Sequence, residues 1–230
     1  MSGTSRAARP GAIGSKPIDL APPAAAARAI LKRGLDLTLA TLGLPVATPL
    51  MLLIALAIRL AHGGPAIYRH RRVGRGGVAF DCLKFRTMGR DADRALALLL
   101  ACSPAARAEW EATRKLRNDP RVLGRLGRFL RRTSLDELPQ LWNVLRGEMS
   151  LVGPRPVVDE ELAHYAGQRR WYLAVRPGLT GPWQVGGRSD TSYAARVRLD
   201  VDYARNPSLR RDLRILLATL RVFATGRGAC

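Results

Sequence analysis

Between Leu37 and Ile58 the chain reads LTLATLGLPVATPLMLLIALAI, 22 residues without a single charge. A helix needs roughly 20 apolar residues to cross a bilayer, and a soluble helix of that length would ordinarily show a polar face. The run therefore predicts a membrane-embedded helix, and it is the only such segment in the chain. Pro45 and Pro49 interrupt its hydrogen-bond ladder, and prolines inside helices produce kinks. Arg28, Lys32 and Arg33 precede the run, while Arg59, Arg69, Arg71, Arg72 and Arg75 follow it. Basic flanks favour the cytoplasmic side, so both ends are expected there. A Pro-kinked re-entrant helix over residues 28–62 meets both conditions better than a plain span, with the Thr41 or Thr48 hydroxyl serving freed carbonyls.

Residues 1–27 are rich in Ala, Pro, Gly, Ser and Arg and lack apolar periodicity, which predicts a disordered basic tail. The apolar run starts too late, and without a cleavage pattern, for a secretory signal. Residues 63–230 then have room for one catalytic domain. The 38 Lys and Arg against 18 Asp and Glu give a net charge of +20, which favours anionic partners: nucleic acid, anionic lipid or phosphorylated substrates. Cys82, Cys102 and Cys230 form no CxxC pair, so neither a disulfide framework nor a zinc site is indicated.

Short β-like runs at 66–68 and 78–85 flank a Gly-rich basic turn and predict a hairpin. Residues 91–117 read as one helix with Leu96, Leu99 and Leu100 on one side. Near the C-terminus, Leu213, Leu216, Leu217, Leu220 and Phe223 share a helical face among arginines. That pattern suits a membrane surface or the domain core equally. The expected class is α+β: a compact, mostly helical domain with a small β-hairpin and the membrane helix.

The stretch from Arg125 to Pro156, RLGRFLRRTSLDELPQLWNVLRGEMSLVGPRP, sets Asp136 and Glu137 among arginines. Ser134 and Glu137 have capping-box spacing, so a helix is expected to begin near Ser134 or Asp136 and stop at Gly147. Pro139 fits its first turn. A cap alone would account for Ser134, Asp136 and Glu137. The surrounding arginines suggest more, because a carboxylate held ionised at a helix N-terminus is a competent nucleophile. Attack on a diphosphate would need arginine forks and a hard divalent cation to offset anion repulsion.

KRGLDLTLA, KFRTM, RRTSLDELPQLWNVLRGEMSLVGPRP and VRPGLTGPWQVGGRSDTSY occur in this order. Together they resemble the successive motifs of the bacterial sugar transferase family, the monotopic polyprenyl-phosphate phosphoglycosyl transferases. The resemblance runs from about Lys32 to Phe223 and is closest to exopolysaccharide-type members. It implies transfer of a hexose-1-phosphate from a UDP-sugar to undecaprenyl phosphate, with UMP released and Mg2+ required. The Asp of the DE pair, here Asp136, would attack and form a sugar-phosphoryl aspartate. Glu137 would help hold the metal beside Asp136 or assist the acceptor. Phosphate or substrate contacts would come from Lys32, Arg33, Lys84, Arg86, Arg131, Arg132, Arg155, Arg176, Gln184 and Arg188. A solvated basic strand is the lesser alternative for Lys84 and Arg86, and a plain structural loop would equally carry the 176–188 residues. The DVDY run with Asp200 and Asp202 reads as a solvated helix end paired with Arg196, Arg198 and Arg205.

The same resemblance places the protein at the bacterial inner membrane, its catalytic domain on the cytoplasmic face among membrane lipid. A homodimer and polysaccharide assembly proteins are the protein partners it allows. Two rivals compete. Nucleic-acid binding would use the charge, but the apolar run and the absence of a recognisable binding motif oppose it. A silent membrane scaffold is opposed by the intact Asp136, Glu137 and arginine set.

Overall fold

The computed structural model describes residues 23–89, 91–113, 116, 119–186 and 191–225. Helix α1 spans Pro23–His62 and begins inside the stretch expected as a tail. The helix continues through both Pro45 and Pro49, and the Thr48 hydroxyl donates to the Leu44 carbonyl at 2.7 Å. At about 1.5 Å per residue it is roughly 60 Å long, enough to cross a membrane by length and composition.

One stripe of α1 packs on the rest of the protein. Ala40, with Leu44 and Ala47 beside it, joins one core cluster. Ile54 and Ile58, with Met51 and Ala55, join another. The spacing of these positions, three or four residues, is that of one helical face. The other faces leave Leu42, Val46, Leu53 and Leu60 exposed, Val46 by 80%. A continuous exposed apolar surface on a helix of this length points to membrane association.

A buried charge network fixes α1 to the domain. Lys32 Nζ lies 3.1 Å from Asp212 and 3.9 Å from Asp36. The two carboxylates are only 1% and 2% exposed. Asp36 also accepts the Leu151 N–H at 3.0 Å, and the Tyr203 hydroxyl donates to Asp212 at 2.6 Å. Strand β3 (Ser150–Val152), helix α9 (Tyr193–Arg205) and helix α10 (Leu209–Thr225) are thereby tied to one point on α1.

Strands β1 (Ile67–Val73) and β2 (Ala79–Phe85) form the expected hairpin in antiparallel register, but β1 is longer than the sequence indicates. Its extra residues, Arg69 to Val73, are dominated by basic side chains rather than strand formers. The 91–117 stretch divides into α2 (Ala92–Cys102) and α3 (Pro104–Thr113). Pro104 forces Ser103 out of the helical region, to φ −128° and ψ 103°. Helices α4 (Gly124–Thr133) and α5 (Gln140–Arg146) follow. After β3 come α6 (Asp159–Leu162), α7 (Arg169–Ala174), β4 (Gly178–Thr180) and α8 (Pro182–Gly186). β3 and β4 pair in parallel. They meet at glycines, for a Cβ on Gly178 would lie 2.1 Å from the Gly153 nitrogen. Helix and short sheets together make an α+β fold.

The C-terminal apolar face is divided between two surroundings. Ile215 is buried and Leu216 packs beside it, whereas Leu213, Leu217 and Leu220 are exposed.

Replacing Asp36 by Ala leaves the Leu151 N–H unpaired and Lys32 short of a counter-charge. A loss of about 3 kcal/mol is expected, read as a fall in the thermal unfolding midpoint of the detergent-purified protein. Asp202→Ala, which removes an exposed pair with Arg211, should cost less than about 1 kcal/mol. Equal shifts in the two variants would contradict the tethering role of the buried network.

Candidate active site

Helix α4 ends at Ser134, whose φ of 56° places it in the left-handed region. That turn reverses the chain into a short 3-10 turn, Leu135–Glu137, before Pro139 stands as the N-cap of α5. The expected capping box does not form: the Ser134 side chain makes no capping bond, and the Glu137 carboxylate turns to two cations. Its Oε1 lies 2.6 Å from Lys84 Nζ and 3.3 Å from Arg155 Nη1. Ion pairing of a buried carboxylate outweighs one backbone hydrogen bond, which is why the helix begins at Gln140 instead.

Each partner is held independently. Lys84 sits on β2, where the Leu83 N–H donates to Asn143 Oδ1 at 3.0 Å and Asn143 Nδ2 donates to the Asp81 carbonyl at 2.8 Å. Asn143 thus fastens α5 to the hairpin. Arg155 lies in the Pro154–Pro156 turn. The Gly178 N–H donates to the Pro154 carbonyl at 2.7 Å, and the Val157 N–H donates to the Tyr172 hydroxyl at 3.1 Å.

Asp136 is buried, 9% exposed, and borders an open cleft of about 2360 Å³ that also receives Lys84, Arg131, Arg155 and Trp183. The two carboxylates differ sharply. Burial, and then the neighbouring Glu137 charge, push Asp136 up to about 6. Burial also opposes ionisation of Glu137, but Lys84 and Arg155 outweigh it and hold the group near 2. The helix N-terminus expected to set their ionisation is therefore not its main cause. Asp136 lies in the turn before a seven-residue helix, and desolvation decides its titration.

The other expected site residues divide. Arg132 and Gln184 border the cleft with Arg131, and Gln184 Nε2 donates to the Leu179 carbonyl at 3.1 Å. Arg86 also reaches the cleft wall, but its guanidinium donates to the carbonyls of His62 and Gly63, closing the end of α1. Arg33 donates to the Val144 and Leu145 carbonyls at 2.7 and 3.0 Å. Arg176 donates to the Gly147 carbonyl at 2.8 Å. Both therefore serve the C-terminal end of α5, where carbonyls lack helical partners, and neither borders the cleft. Lys32 is held by Asp36 and Asp212 and does not border the cleft. Arg188 lies outside the described residues. Asp200 is no solvated helix end: it is 2% exposed and accepts the Tyr165 hydroxyl at 2.7 Å. Asp202 pairs instead with Arg211 at 2.7 Å.

Sequence reasoning missed Tyr68, His70 and Arg72. They lie on alternate positions of β1, opposite Lys84, Cys82 and Phe80, hence on the cleft side of the hairpin. The signal was the i, i+2 alternation through Val73, hidden by ending the strand at Tyr68.

Among the described residues no cluster of three His, Cys, Asp or Glu exists that could hold a metal ion. Mg2+ does not require one, because it commonly takes one or two carboxylates, keeps several waters and completes its shell with substrate phosphates. At the cleft the adjacent carboxylates Asp136 and Glu137 are of that type, with Glu137 Oε1 already paired to Lys84 and Arg155.

Comparison with known proteins settles the class. A model of the bacterial sugar transferase family matches residues 27–226, and the chain belongs to that family. It is 50% identical over 200 residues to the exopolysaccharide production protein ExoY of Sinorhizobium fredii, covering 87% of this chain and 88% of the relative. It is 50% identical over 199 residues to the undecaprenyl-phosphate galactose phosphotransferase of Salmonella typhimurium, covering 86% of this chain but 41% of that protein. A Caulobacter vibrioides UDP-glucose:undecaprenyl-phosphate glucose-1-phosphate transferase is 44% identical over 197 residues, covering 82% of this chain and 68% of the relative.

The raised Asp136 is open to direct test. In free protein carrying 13C-labelled aspartate, the protonated-carboxyl infrared band that is lost in Asp136→Asn, and so is distinct from that of the buried Asp200, should vanish as pH rises through about 6. In Glu137→Gln the band should vanish at lower pH, because a like charge is removed while Lys84 and Arg155 remain. An unchanged or higher midpoint would contradict the assigned cause.

Proposed function

We propose that this protein transfers a hexose-1-phosphate from a UDP-sugar to undecaprenyl phosphate, releasing UMP, as the initiating step of exopolysaccharide or capsule assembly. The supporting observation is the pairing at the cleft. Asp136 is a buried carboxylate with a raised pKa, and beside it Glu137 positions one cation from the KFRTM strand and one from the PRP turn. The relatives' names point to galactose and glucose as transferred sugars.

In the first step an ionised Asp136 oxygen attacks the β-phosphorus of the UDP-sugar. The bond from that phosphorus to the bridging oxygen breaks, and UMP leaves with the electron pair. The sugar-phosphoryl group remains on Asp136 as an acyl phosphate. In the second step a phosphate oxygen of undecaprenyl phosphate attacks the same phosphorus, restoring the Asp136 carboxylate and giving the lipid diphosphate sugar. Lys84, Arg155 and Arg131 supply positive charge where phosphoryl oxygens must gather. At about neutral pH most Asp136 is ionised, yet its raised pKa keeps the oxygen more basic and more nucleophilic than an ordinary carboxylate. Glu137, held near 2, is a poor proton acceptor and acts by orienting Lys84 and Arg155. Mg2+, held by Asp136 and Glu137, would neutralise phosphate charge when bound.

The membrane reading fits the same scheme. α1 is basic at both ends, and both its halves rest on one domain. These features support re-entrance from the cytoplasmic face, with the catalytic cleft on that side of the bacterial inner membrane.

Purified, detergent-solubilised protein given undecaprenyl phosphate, Mg2+ and a panel of UDP-sugars should release UMP with a hexose donor. Asp136→Asn should lose more than about 10³-fold of that release, and labelled sugar phosphate should be trapped on the wild type when the lipid is withheld. Full activity in Asp136→Asn, or no consumption of any UDP-sugar, would sink the covalent mechanism.

A further inference from the structure

We infer that His70 is a neutral hydrogen-bond donor to an oxygen of the bound nucleotide sugar, a positioning residue rather than an acid or base. The inference rests on the reading of the cleft given above and adds a residue to it. Its footing is the geometry of β1, where Tyr68, His70 and Arg72 alternate on the face that carries Lys84, and where all three border the cleft.

Arg72 decides the tautomer. Its Nη2 lies 3.2 Å from His70 Nδ1, and a guanidinium has donors but no acceptor. Nδ1 must therefore present its lone pair, which leaves the single ring proton on Nε2. Arg72 is itself fixed, since Nη1 donates to the Pro156 carbonyl at 3.2 Å and to Glu161 Oε2 at 3.1 Å. Glu161 in turn accepts the Val158 N–H at 3.1 Å. On the other side the Tyr68 ring lies 5.7 Å from the imidazole, tilted by 60°. Arg72 thus sets the proton position of the ring before any ligand arrives, with Tyr68 alongside.

Charge argues the same way. The groups facing His70 are Arg72 on its own strand, Lys84 on β2, and Arg155 and Glu161 beyond β3. Partial burial, then Arg72 and Lys84, push the imidazole down to about 4, with Glu161 opposing. The ring therefore stays neutral throughout the pH range in which Asp136 is ionised. A further cation there would be repelled by its neighbours, whereas a neutral N–H adds direction without charge. The ligand it fits is an oxygen acceptor next to a phosphate held by Lys84 and Arg155: a phosphoryl oxygen or a hydroxyl of the nucleotide sugar.

The test compares His70→Ala and His70→Gln with wild type, each checked for an unchanged thermal unfolding midpoint. Gln can place a neutral N–H but cannot titrate. His70→Ala should raise the KM for the UDP-sugar about tenfold, the value of one ligand hydrogen bond, with kcat altered far less. His70→Gln should restore KM to within about threefold and give the same pH profile as wild type. The inhibition constant of UMP separates the two acceptors. It weakens with KM if the oxygen belongs to the nucleotide and is unchanged if the oxygen belongs to the sugar or its phosphate; either pattern supports the inference. An unchanged KM in His70→Ala overturns it, as does a folded His70→Gln no better than His70→Ala. A pH limb present in wild type but absent in His70→Gln would make His70 an acid or base instead. Failure of wild type to consume any UDP-sugar would strike the functional reading, not His70.

Discussion

The site depends on one carboxylate shared by two cations. Glu137 binds Lys84 from β2 and Arg155 from the turn after β3, segments separated along the chain by 71 residues (155 minus 84). A buried carboxylate in such a place would be costly without both partners. With them it draws the hairpin, the Leu135–Glu137 turn and the proline turn to one point. Asp136, next in the chain, is consequently carried to the cleft wall without a cation of its own at bonding distance among the ion pairs of the described residues. The division of labour between adjacent acids follows: one is neutralised and orients, the other is desolvated and stays basic.

The membrane helix belongs to the same construction. Arg33 reaches the last carbonyls of α5, and Lys32 reaches Asp212 on α10. Helix α5 begins just after the Asp136–Glu137 pair and is fastened to the hairpin through Asn143. A displacement of α1 would thus pull on the element that follows the Asp136–Glu137 pair. The basic residues at the head of the apolar run are structural joints between the lipid-facing helix and the cleft, and the exposed leucines of α1 and α10 are left for the surroundings.

Much of this was legible from local chemistry. The hairpin followed from a Gly-rich turn between β-like runs, and the end of α5 from Gly147, which adopts φ 82°. What misled was the assumption that nearby residues serve each other. Ser134 and Glu137 have capping-box spacing, yet Glu137 has stronger partners 53 and 18 residues away. Arg176 and Arg33 donate to backbone carbonyls at the end of α5, a use that the sequence does not separate from phosphate binding because both employ the same guanidinium. Asp200 resembled a surface acid because nothing nearby announces that Tyr165, 35 residues earlier, will bury it.

The sequence by itself determined the apolar helix, the α+β class, the motif order and the acidic pair, because each rests on local periodicity or on residue types that few structural segments require. Only the tertiary structure decided which arginines face the cleft, which acid is ion-paired and which has its pKa raised, and that His70 borders the cleft beside Arg72. Those properties depend on burial and on partners far along the chain, and a carboxylate or imidazole takes its pKa and tautomer from its surroundings rather than from its neighbours in sequence.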